Sequence, residues 1–185
     1  QLMLVSPDQA ISASKSAYVQ QMQEFDKKGQ ISRDPELISR VNTITGRLVA
    51  QAIKARPDTK DWEWSVEVID DPKTVNAWCM AGGRMAIYTG LVDKTNATDD
   101  EIAQVMGHEI AHALANHTAE RMSVAMASQI GVVAAGVASR DAGVMMGAAA
   151  AAQLAISLPN SRASETEADR IGIELGARAG YDPRA

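Results

Sequence analysis

Residues 98–117, TDDEIAQVMGHEIAHALANH, have little choice but to begin as a helix. Thr98 followed by Glu101 is a capping box, in which each side chain satisfies a backbone donor left open at a helix start. Behind it Ile102, Val105, Met106 and Ile110 recur at three- and four-residue spacing, the mark of one apolar helix face. All three histidines of the chain, His108, His112 and His117, fall in this stretch. On a helix, residues four apart share a face, with Cβ atoms about 5–6 Å apart. His108 and His112 are therefore predicted to hold one metal ion, which for zinc means nitrogens at roughly 2.0–2.1 Å. Glu109 lies about a third of a turn round from His108. That offset suits it to act as a base on a water held at the metal rather than as a further ligand. His117 falls about half a turn from His108 on a continued helix, and is expected to make a structural hydrogen bond or to support a ligand, not to bind the same ion. The plain alternative is a helix whose histidines only bond to their neighbours.

A catalytic zinc usually takes three protein ligands and keeps one position open. No further histidine exists, and Cys79 belongs to a strand-like segment. The remaining source is SRASETEADRIG, residues 161–172. Glu165 and Asp169 are four apart and share a helix face, while Arg162 precedes Glu165 by three. Glu167 projects nearly opposite. Gly172 and Ile173 fall on the Glu165 side, so that side is expected to pack inward. Glu165 is assigned as the third ligand, and Asp169 as the carboxylate that orients a ligating histidine through its other N–H. Read alone, without the H-E-x-x-H stretch, the segment is better taken as a solvated charge run with an Arg162–Glu165 pair. A purely structural zinc, usually closed by four Cys or His ligands, does not fit a chain with one cysteine and three histidines.

The rest of the chain supplies a frame for this site. Ser6-Pro7-Asp8 starts a helix that Gly29 stops, with Ile11, Tyr18, Met22 and Phe25 at near-helical spacing. Asp34-Pro35 starts a second helix, striped by Leu37, Val41, Ile44, Leu48 and Ala52 and ended at Arg56-Pro57. In WEWSVEVID the period changes to two: Trp62, Trp64, Val66 and Val68 alternate with Glu63, Ser65 and Glu67, a half-buried strand. VNAWCM and RMAIYTG flank Ala81-Gly82-Gly83 and read as a hairpin. The segment 122–158 is rich in Ala, Gly, Val and Met, in two apolar stretches, 124–139 and 142–158, split by Arg140-Asp141. It reads as a pair of tightly packed helices, with a lid or a membrane-facing hairpin as the functional alternative; each stretch is short for a bilayer span. A last helix runs from Arg162 to about Ala179. The expected architecture is α+β, mostly helical, in one domain over residues 1–185. A net charge of −5 argues against a nucleic-acid partner. The single Cys79 excludes an internal disulfide. Gln1 at one end, and a helix start at Asp182-Pro183 at the other, suggest a chain trimmed at both ends.

Three segments, VNAWCMAGGRMAIYTGLV, TDDEIAQVMGHEIAHALANHTAERMS and SRASETEADRIGI, resemble the HtpX and CAAX-prenyl-endopeptidase type of zinc metallopeptidases, in particular their periplasmic branch that includes LoiP and BepA. The resemblance implies a zincin-like fold with one Zn2+ per chain on His108, His112 and Glu165, and Glu109 as general base. It implies that Asp169 and Arg162 support the site and that Asn76, Ala77 and Trp78 lie on an edge strand along which an extended substrate pairs by main-chain hydrogen bonds. It also implies polypeptide substrates among unfolded or misassembled envelope proteins, a periplasmic location at the outer membrane, and a lipid anchor ahead of Gln1. A rival within the same resemblance is a chaperone-like assembly factor for outer-membrane proteins with latent proteolysis. Relatives often carry Pro-Gly-Gly where this chain has Ala81-Gly82-Gly83, and often a further His, Arg or Tyr beyond the third ligand, a position past Ala185.

Overall fold

The computed structural model describes residues 4–135 and 159–185. Helix α1 (Pro7–Lys27) opens where the sequence places it: Ser6 accepts from the Gln9 N–H, and the Gln9 side chain accepts from the Ser6 N–H. Helix α2 (Pro35–Ala55) is capped by Asp34, whose carboxylate accepts from the N–H groups of Glu36 and Leu37. Strands β1 (Ser65–Ile69), β2 (Ala77–Cys79) and β3 (Arg84–Tyr88) form one sheet in the order β1-β3-β2. β3 runs parallel to β1 and antiparallel to β2. The hairpin turn needs its glycines. Gly82 and Gly83 both have φ of +90°, and a Cβ on Gly83 would stand 2.6 Å from the Trp64 ring.

Two expectations are corrected here. The first strand begins at Ser65, not at Trp62. A 3-10 turn over Pro57–Asp61 carries the chain as far as Trp62, whose N–H donates to the Thr59 carbonyl at 3.0 Å. The Trp64 indole N–H donates to the same carbonyl at 2.8 Å, and Arg56 lies over the Trp62 ring. The tryptophans thus fix a turn rather than one face of a strand. The short helix α3 (Thr89–Lys94) was not anticipated; it is one and a half turns following directly on β3.

The sheet is covered on both faces. Val68, Ala77, Cys79, Met85 and Ile87 point to one side, against α2 and the apolar face of α4 (Asp99–Leu114). Ile69, Trp78, Met80, Ala86 and Tyr88 point to the other, against α1 and the first turns of α5 (His117–Ala135). Tyr18 of α1 ties that side down, its hydroxyl donating to the Met85 carbonyl at 3.1 Å and its ring meeting Trp78 edge-on. On its other side α4 packs along α6 (Arg162–Arg178), the most extensive contact between two helices here. The result is the mostly helical α+β architecture with a small sheet. Of the segment 122–158, α5 covers residues as far as Ala135. The split at Arg140-Asp141 and the second apolar stretch, and with them the helix-pair and lid readings, lie outside the described residues. Among the described residues no helix is long and apolar enough to cross a membrane.

Candidate metal centre

Helix α4 is set in place at both ends. The Thr98–Glu101 capping box is formed, with the Glu101 N–H donating to Thr98 and the Thr98 N–H to the Glu101 carboxylate. Arg40 reaches over from α2 to Asp99 and to the Ala97 carbonyl. At the far end the Arg56 guanidinium donates to the Leu114 carbonyl, a cation at the helix terminus that favours it. The helix stops there. Asn116 takes a left-handed conformation, φ +59°, and the chain turns sharply into α5. His117 therefore opens a new helix rather than continuing the old one. Instead of pointing away, it lies under His112.

The close packing of α4 on α6 decides the rest. Gly107 and Gly172 face each other: a Cβ on Gly172 would stand 2.7 Å from the His108 backbone nitrogen, and one on Gly107 would stand 2.9 Å from the Gly172 carbonyl oxygen. This approach brings Glu165 and Asp169, one turn apart on α6, up to the histidines. Glu165 Oε2 lies 3.3 Å from His108 Nε2 and Oε1 lies 3.4 Å from His112 Nε2. The two Nε2 atoms are 3.0 Å apart. Among the described residues His108, His112 and Glu165 form the single group of three or more potential metal-ligating side chains.

The other ring nitrogens account for the protons. His108 Nδ1 is 2.8 Å from Asp169 Oδ1, an acceptor-only carboxylate, so Nδ1 carries the proton. His112 Nδ1 is 2.8 Å from His117 Nδ1, and His117 Nε2 is 3.2 Å from Glu167. The carboxylate of Glu167 accepts a hydrogen bond from His117 Nε2–H, which leaves His117 Nδ1 to accept from His112 Nδ1. Both ligand-side Nε2 atoms are then left with lone pairs, directed at each other and at a carboxylate. Apart from the Asn160 amide nitrogen, 3.3 Å from His112 Nε2, these three acceptors converge with no donor among the described residues, and they repel unless a cation lies among them. Atoms each about 2.0–2.1 Å from one tetrahedral ion lie about 3.3–3.4 Å apart, close to the separations found. Burial further pushes the His112 imidazole down to about 4, keeping it neutral and able to donate a lone pair. The donor set fits a divalent ion.

Glu109 is not one of these three groups, but it is close enough to feel the charges of His108 and Glu165. Glu109 lines a cavity of about 160 Å³ together with Ala77 and Trp78 of the edge strand β2 and Asn76, which stands just ahead of that strand rather than in it. Burial pushes its carboxyl up to about 7, against the pull of His108 and Arg121. Arg162 stands exposed on the first turn of α6 and makes no ion pair with Glu165 among the described residues. The inward stripe of α6 is Ser164, Ala168, Gly172 and Leu175, one step round from the expected one, so Gly172 is buried but Ile173 is 49% exposed. Cys79 is buried in β2, outside the cluster. Sequence reasoning missed the His117–Glu167 contact, Asn160, whose side-chain nitrogen lies 3.3 Å from His112 Nε2, and Arg121.

Residues 35–185 match peptidase family M48. Mitochondrial metalloendopeptidase OMA1 of Arabidopsis thaliana is 40% identical over 65% of the chain and 24% of its own length. The beta-barrel assembly-enhancing protease of Yersinia pestis is 32% identical over 91% of the chain and 34% of its own length. Metalloprotease LoiP of Escherichia coli K12 is 32% identical over 89% of the chain and 62% of its own length. The chain thus spans less than two thirds of each of these relatives. A helix-borne pair of histidines, a glutamate brought to them from a second helix, and a family match over most of the chain lead to one conclusion: this chain belongs to peptidase family M48, the metallopeptidases.

Proposed function

We propose that the chain is a zinc-dependent endopeptidase acting on unfolded or misassembled polypeptides of the bacterial envelope, with residues 1–185 working as one domain. The observation that carries this is the proton inventory of the site: Asp169 and the His117–Glu167 pair hold the outer ring protons, so His108 and His112 turn bare nitrogens toward Glu165. His108, His112 and Glu165 would hold the ion. When bound, zinc supplies Lewis acidity, polarising a peptide carbonyl and making a water easier to deprotonate. Glu109 takes the proton from the attacking water and returns it to the leaving amine. Asp169 and His117 keep the two imidazoles in one tautomer and orientation. Strand β2, with Asn76 just ahead of it, offers its free edge to an extended substrate by main-chain hydrogen bonds. A periplasmic site of action at the outer membrane fits the Yersinia relative, a beta-barrel assembly-enhancing protease by name.

A second reading follows from the Yersinia relative, a beta-barrel assembly-enhancing protease by name: binding of outer-membrane assembly proteins, with proteolysis held in reserve. Cells lacking this gene and supplied with the Glu109→Gln form separate the two. The peptidase reading predicts no rescue of the defect, and full rescue would favour the binding role.

A further inference from the structure

The cavity beside Glu109 is not explained by metal binding or by proton transfer. Its wall away from β2 is polar. Thr118 is 4% exposed, and its hydroxyl has no hydrogen-bond partner among the described residues. Arg121, one turn further along α5, has its Nε buried and equally without a partner there. Ser14 of α1 completes this side. A buried polar group left unpaired is costly, more so when charged. Two of them together in one cavity offer two donors to whatever occupies it, water or a polar ligand.

The chemistry of that ligand follows from the donors. A guanidinium only donates, in a fork that fits a carboxylate. Arg121 is the single cation among the described residues lining the cavity, and no ion pair to Glu109 or Glu165 uses it up; burial weighs against its charge, and the two carboxylates favour it from nearby. Both residues lie at the start of a 19-residue helix, the end whose dipole favours an anion. The same cavity is bordered by the base and by the strand proposed to carry the substrate backbone, so whatever enters it is next to the bond that is cut.

We infer that this cavity is a specificity subsite for an acidic side chain of the substrate, an aspartate or glutamate close to the scissile bond, held by Arg121 and Thr118. The inference rests on the peptidase reading above. Its test is a series of quenched-fluorescence peptides with Glu, Gln, Leu or Lys at each position flanking the cut. The wild type should prefer Glu over Gln or Leu at one position by about 10- to 100-fold in kcat/KM, the factor that a charge-assisted contact supplies. Arg121→Glu should reverse the preference toward Lys at that position. Thr118→Val, which keeps the shape, should weaken the Glu preference several-fold and guards against a charge reversal that fails to fold. A wild type that cleaves these peptides without an acidic preference, or a preference untouched in both variants, overturns the subsite and leaves the peptidase reading standing. A wild type that cleaves neither the peptides nor casein overturns the peptidase reading itself, and the subsite with it.

Discussion

Glu109→Gln should leave a folded protein that binds its metal as before and turns over about 10²- to 10⁴-fold more slowly, the range that a positioned general base contributes. The substitution keeps the shape of the side chain and removes only its ability to take a proton. Glu109 stands outside the group formed by His108, His112 and Glu165, so the metal should not notice its loss. Its environment suits proton transfer, since burial raises the carboxyl to about 7, with His108 and Arg121 pulling it back. A group poised near neutrality can both accept and return a proton. Casein or peptide turnover beside metal content decides the matter. Unchanged turnover would remove Glu109 from the chemistry, and loss of metal would make it a ligand instead.

Gly172→Ala should cost at least about 100-fold in activity, although residue 172 touches no substrate. The new Cβ would stand 2.7 Å from the His108 nitrogen and 2.8 Å from its Cα. Neither atom can yield, because both are backbone of a packed helix. Helix α6 has to back away from α4, at about 1–3 kcal/mol for overpacking. The larger effect falls on the site, since Glu165 and Asp169 ride on α6. A displacement of about 1 Å at a reacting centre costs on the order of 10²-fold. Gly176→Ala is the control. There a Cβ meets the Gln104 amide, the far end of a flexible side chain, at 2.7 Å. That amide can swing aside, losing its bond to the Asp182 carbonyl, and activity should stay within a few-fold of wild type. Equal losses in the two variants would mean that the α4–α6 approach does not position the ligands.

What the sequence reveals, and what it hides, divides along physical lines. The helix starts at Ser6, Asp34 and Thr98 are legible because capping is decided by residues within one turn of each other. The glycine hairpin is legible for the same reason. The meeting of Glu165 with His108 and His112 is long-range, but the chemistry of an incomplete ligand set points to it. The supporting partners are harder. His117 reads as part of a continued α4 because the helical pattern gives no stop signal except Asn116, whose tolerance of the left-handed conformation ends the helix and folds His117 under His112. Glu167 reads as facing away, and it does face away from Glu165, onto His117. On α6 the spacing misplaces the packing side by one step, since small residues rather than Ile173 make the contact. Trp62 and Trp64 alternate with polar residues as a strand would, but the 3-10 turn before them sets their positions. Nothing in the spacing of Thr118 and Arg121 marks the cavity they line.

The central claim is that His108, His112 and Glu165 together hold one zinc ion on which cleavage depends. Zinc stoichiometry measured beside casein cleavage, with and without a chelator, tests it most directly. The expected result is one zinc per chain in the wild type, activity lost to the chelator and restored by zinc, and neither zinc nor activity in His108→Ala or Glu165→Ala. A zinc-free protein whose cleavage ignores the chelator would contradict it.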